Sequence, residues 1–67
     1  MIYYLKGTLE ALEEDKVVID VGGIGDGVFM SGQAMGLLPS IGKEVKIHTY
    51  LNVKEDAMQL YGFLTMD

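Results

Sequence analysis

Apolar and polar residues alternate along most of this chain. Over the first twelve positions Tyr3, Leu5, Gly7, Leu9 and Ala11 fall on one side, and Tyr4, Lys6, Thr8 and Glu10 on the other. A period of two predicts a strand covered on one face. Gly7, in its middle, predicts a bend or bulge of the kind that lets a sheet curl. Glu13-Glu14-Asp15 reads as a solvated turn. Lys16 to Val21 reads as a second strand with Val17, Ile19 and Val21 inward. The glycines between Gly22 and Gly27 predict a tight loop, followed by a short third strand from Val28 to Ser31.

One helical segment follows. Ser31 is placed to cap it, Ala34, Leu37 and Leu38 share a face, Gly36 weakens it and Pro39 ends it. One or two turns are expected, partly 3₁₀, and then a turn from Pro39 to Gly42. The clearest strand comes next: Val45, Ile47, Thr49, Leu51 and Val53 face one way, and Lys46, His48, Tyr50 and Asn52 the other. Lys54-Glu55-Asp56 forms a charged corner. Beyond it Met58, Leu60, Gly62 and Leu64 alternate with Gln59, Tyr61 and Phe63, so both faces of a fifth strand are partly apolar. The order β-β-β-α-β-β predicts an all-β fold with one small inserted helix, a five-stranded Greek-key OB-fold barrel. An SH3-like barrel is the rival, but it usually lacks a helix at that point.

Length and composition narrow the reading further. Sixty-seven residues make one small domain, and a chain of this size buries only about 60% of the surface it exposes when unfolded. The chain has no cysteine, so neither disulfides nor thiolate metal sites reinforce it. Assembly with other subunits or domains is then a reasonable source of stability. The net charge of -5, with five lysines against ten acids, opposes nucleic-acid binding on bulk electrostatics, unless the charge is segregated between faces. There is no membrane-spanning run, and Lys6 and Glu10 make the start unlike a signal peptide. A cytoplasmic protein is expected.

Candidate chemistry is sparse. Gly22 to Gly27 fails the G-x-G-x-x-G spacing of a dinucleotide loop, because Val28 stands at the last required position. Its glycines fit a strand connection. His48 is the single histidine and reads as a surface or interface residue. No nucleophile and base set is present, and Ser31 and Ser40 suit turn or cap roles. Tyr3, Tyr4, Tyr50, Tyr61, Phe29 and Phe63 would suit a base-stacking platform, but the sequence shows no interleaved cations of the kind single-strand binders use. Glu55-Asp56 has two readings. One is an ordinary solvated turn. The other is electrostatic exclusion: a carboxylate about 7 Å from a phosphate repels it by roughly 2 kcal/mol at an effective dielectric near 20.

Several short stretches occur together in order: Met1-Ile2, Leu5-Lys6-Gly7, Ile19-Asp20-Val21-Gly22-Gly23-Ile24-Gly25, Leu38-Pro39, His48-Thr49, Lys54-Glu55-Asp56-Ala57 and Leu60-Tyr61-Gly62-Phe63. With them the chain resembles the N-terminal domain of the RuvA family across its whole length. The resemblance implies an OB-fold domain over residues 1–64, with residues 65–67 starting a linker to a helix-hairpin-helix domain. It implies a homotetramer that receives a four-way DNA junction, and a partner, the ATP-hydrolysing RuvB motor, which binds elsewhere on the subunit. The implied setting is branch migration in recombination and in repair of damaged DNA. The implied site is an acidic pin at the crossover, Glu55 and Asp56, with Lys54 as a flanking contact. No catalytic residue, metal or cofactor is implied. The chain departs from the family pattern at Tyr4, where an arginine is common, and at Asp26-Gly27, where an aromatic and an acid are common.

Overall fold

The computed structural model describes residues 2–64, the side chain of Ile2 excepted. The expected linker at residues 65–67 lies outside them. The elements are β1 (Ile2–Leu12), β2 (Lys16–Val21), β3 (Ile24–Phe29), α1 (Gly32–Met35), β4 (Glu44–Lys54) and β5 (Ala57–Phe63). The strands close in the order β1-β2-β3-β5-β4, with β3 and β5 parallel and every other pair antiparallel. This is the all-β, five-stranded OB-fold barrel with one short helix between β3 and β4.

Closure depends on two long strands that each serve two neighbours. β1 pairs with β4 from Ile2 to Thr8 and with β2 from Thr8 to Leu12. β4 pairs with β1 from Glu44 to Tyr50 and with β5 from His48 to Lys54. Inside lie Leu9, Val17, Ile19, Val28, Met30, Val45 and Ile47, all buried. Leu5, Val21, Leu38, Leu60 and Leu64 pack against them. Fully burying such a side chain stabilises by about 1.5–3 kcal/mol, so the alternation read from the sequence is also the pattern of the core.

Four expectations are corrected. The irregularity in β1 falls between Leu9 and Ala11, not at Gly7. There the segment before β4 engages Leu9: Leu9 N–H donates to the Lys43 carbonyl at 2.9 Å, and Gly42 N–H donates to the Leu9 carbonyl at 2.7 Å. The extra residue shifts the phase. Ala11 therefore pairs with outward Val18, and Leu12 with buried Val17. Gly7 serves a close approach instead, since a Cβ there would collide with the Asp20 carbonyl oxygen.

The loop expected over Gly22 to Gly27 shrinks to Gly22-Gly23, and β3 starts at Ile24, four residues early, and ends at Phe29. Val21 pairs with Ile24, leaving a two-residue hairpin turn with φ of 63° and 91°. Positive φ at both central positions is the type I′ requirement that glycine meets without strain. The Gly23 N–H also donates to Asp20 Oδ1 at 2.7 Å.

The helix is capped as expected, Ala34 N–H donating to Ser31 Oγ at 3.1 Å. Its end tightens through i→i−3 bonds from Leu37 and Leu38. Leu37, however, is 74% exposed rather than inward, because four helical residues turn only one side to the core. Finally, Val53 is on the inward face as read but is 63% exposed, because the barrel ends before it.

Candidate nucleic-acid interface

The register places Lys54-Glu55-Asp56 at the tip of a free-standing arm. Among the described residues, β1 last pairs with β4 at Tyr50, and β3 pairs with β5 only at Leu60 and Tyr61. Beyond those points Asn52, Val53 and Lys54 pair, among the described residues, only with Gln59, Met58 and Ala57. The arm is thus a two-stranded ribbon that runs past the core. Its inward face stays apolar but uncovered: Val53 opposes Met58, which is 69% exposed, and Tyr3 at the same end of the inner face is exposed too.

Glu55 and Asp56 form the two-residue turn and are both exposed. Neither has positive φ. The corner therefore does not use the tolerance for left-handed backbone that makes Asp and Asn favoured in tight hairpins. Among the described residues, the side-chain hydrogen bonds and ion pairs involve neither carboxylate, nor Lys54. The expected site residues come together as adjacent, solvent-facing groups with no structural partner.

The outer wall of the barrel carries a second feature. Lys46 Nζ stands 4.4 Å from the centre of the Tyr4 ring, and Lys16 Nζ stands 5.9 Å from that of Phe29. The sequence reading found no cations among the aromatics. The register supplies them, since Lys16 pairs with Phe29, and Lys46 pairs with Lys6, two residues along β1 from Tyr4. His48 is half-buried on this wall, stacked against Phe63 with centroids 6.2 Å apart. Phe29 and Tyr61 approach to 5.7 Å across the β3–β5 seam. The signal available in the sequence was the alternation of Lys46, His48 and Tyr50, which required only a partner strand to become a surface.

Among the described residues, no group of three or more His, Cys, Asp or Glu side chains could hold a metal ion. No helix there is long and apolar enough to cross a membrane. Fold and site together define a small OB-fold module with an exposed acidic arm.

The family described as RuvA N terminal domain matches residues 1–62. The Holliday junction branch migration complex subunit RuvA of Lachnospira eligens is 51% identical over all 67 residues, which cover 32% of that protein. The subunits of the same name from a Thermoanaerobacter species and from Chloroherpeton thalassium are each 45% identical over the whole chain, which covers 36% and 34% of them. The chain belongs to the RuvA N-terminal domain family. It spans about a third of the length of these relatives.

Proposed function

We propose that this chain is the N-terminal barrel of a non-catalytic, Holliday-junction-binding subunit. It acts in the cytoplasm with an ATP-driven RuvB motor, in branch migration during homologous recombination and DNA repair. The relatives' names bring the junction and the complex. The observation that carries the residue-level reading is the unpartnered pair Glu55-Asp56 at the end of an arm held clear of the barrel. Such a pair acts on DNA by repulsion, and the main cationic grip on the duplex arms belongs to the rest of the subunit.

Magnitudes decide how the pin works. In bulk water a carboxylate about 7 Å from a phosphate repels it by only about 0.6 kcal/mol. One exposed pin is therefore weak. Four arms gathered on a tetramer axis exclude solvent from each other and add their fields, which makes a zone that backbones avoid at the crossover. The exposed apolar face of Tyr3, Val53 and Met58 supports assembly, because such surface is best covered by a partner. Lys54, next to the pin, is placed to meet the phosphates that the carboxylates turn away. RuvB docks on a part of the subunit outside this chain.

The test places this chain in the matching third of the Lachnospira eligens relative. Glu55→Lys with Asp56→Lys is expected to change branch-migration rate at least severalfold while circular dichroism and junction gel-shift are retained. Unchanged migration kinetics would remove the pin from the mechanism. A second reading, a structural barrel that only contacts protein, is favoured by the apolar arm face. It predicts that the chimera shifts a synthetic four-way junction and migrates it at the same rate with or without Glu55 and Asp56.

A further inference from the structure

We propose that the outer face of β1, β4 and β5 is a stacking platform for unpaired bases of a single DNA strand leaving the crossover. The proposal rests on the junction reading above and assigns a second DNA-contacting surface, distinct from the pin.

The face is built by register. Tyr4 lies opposite His48, and His48 opposite Phe63, in one row across three strands. Two residues further along β4, Tyr50 lies opposite Tyr61 in a second row. The rows are about 6.6 Å apart along the strand. Tyr4 and Tyr50 are 57% and 44% exposed, so their rings are open to solvent rather than consumed in packing. Lys46 leans over Tyr4 at 4.4 Å.

Charge is segregated to match. After Glu44, the outward positions of β4 are Lys46, His48, Tyr50, Asn52 and Lys54, and those of β5 carry no carboxylate before or at Phe63. Glu44 itself, at the edge, is held 3.8 Å from Lys6. From Lys46 to Lys54 this face therefore carries lysines and no carboxylate, and its acids, Glu10 and Glu44, lie together at the opposite end from the arm. The combination of ring faces with ammonium groups fits a single strand, whose bases expose π surfaces beside a phosphate track. A duplex hides those surfaces, and an apolar protein patch has no use for the lysines. The face also leads straight back along β4 from the pin. A strand turned aside by Glu55 and Asp56 meets Asn52, Tyr50 and His48 in sequence.

The experiment uses the 67-residue chain and a labelled oligothymidylate, read by fluorescence anisotropy, with a duplex of equal length as control. Single-strand binding is expected at about 50 mM salt, falling steeply toward about 200 mM. Tyr50→Ala is expected to weaken it roughly tenfold and Tyr50→Phe to leave it nearly intact, as stacking requires. Lys46→Glu and Tyr4→Ala, at exposed positions, are expected to weaken it by a similar factor, and they decide the matter if Tyr50→Ala does not fold by circular dichroism. No binding to the single strand, equal binding to the duplex, or folded variants that alter only the oligomeric state would each overturn the platform. The pin is separated by Glu55→Gln with Asp56→Gln. Retained strand binding in that variant alongside unchanged branch migration removes the pin alone. Absent strand binding by the parent chain alongside altered branch migration in the pin variant removes the platform alone.

Discussion

Gly7 and Gly62 are the two positions where a single methyl group tests the closure of the barrel. A Cβ at Gly62 would lie 2.6 Å from Val28 Cγ1, 2.9 Å from Ile47 Cγ2 and 3.2 Å from Met30 Cγ. These are side-chain atoms, and Met30 in particular is able to give way. A Cβ at Gly7 would strike the Asp20 carbonyl oxygen, which is backbone. Relief there means opening β1 from β2 at the point where β1 changes partners. Both alanine variants are expected to destabilise, in the range of about 1–3 kcal/mol typical of overpacking, with Gly7→Ala the worse. Urea unfolding curves check the order. Equal midpoints would mean that the strands part easily at Gly7. The sequence signalled that Gly7 was special within a strand, but not why. A glycine looks the same whether it marks a bulge or a close approach, and only the position of Asp20 across the pair separates the two.

The two hairpins show what local pattern carries and what it does not. In the β2–β3 turn the backbone itself demands glycine: Gly23 has φ of 91°. Gly23→Ala is expected to cost about 1–2 kcal/mol, and Asp20→Ala about 0.5–1.5 kcal/mol through loss of the bond to the Gly23 N–H. Thermal melts of the two variants test this, and a Gly23→Ala melt like that of the parent would refute the turn geometry. The β4–β5 turn makes no such demand, as Glu55 and Asp56 keep negative φ. That contrast bears on legibility. Of the family-like stretches, Asp20 to Gly23 and Gly62 have visible duties in the fold, and Phe63 stacks on His48. Lys54-Glu55-Asp56 has none among the described residues. The proposed pin was legible as residues, because two carboxylates at a corner are visible in one dimension. Its projection was not, because it follows from where β1 and β3 stop pairing. β3 was lost for a related reason. Gly25 and Gly27 speak against a strand locally, yet β2 on one side pairs with their backbone, and Val18 Cγ1 lies only 3.2 Å from a Cβ at Gly25. Tertiary pairing outweighed propensity.

At the scale of the whole molecule, a net charge of -5 and a small core pull in opposite directions. The proposed assembly through the uncovered apolar face would add stability, but it would also draw the acidic arms together if they share an axis. The proposed pin therefore carries a cost that is present without any DNA. Neutral carboxamides at both positions remove it, while changing neither the length of the side chains nor the apolar face. In the chimera with the Lachnospira eligens relative, Glu55→Gln with Asp56→Asn is expected to strengthen the proposed tetramer at about 0.01 M salt, where charges act over about 30 Å. At about 1 M salt the screening length falls to about 3 Å, and variant and parent are expected to dissociate alike. Analytical ultracentrifugation across that range reads the difference directly. A tetramer whose strength is indifferent to the carboxamides at low salt has its arms far apart, at the rim rather than the centre. The repulsion on which the proposed strand guidance depends would then have no place to act.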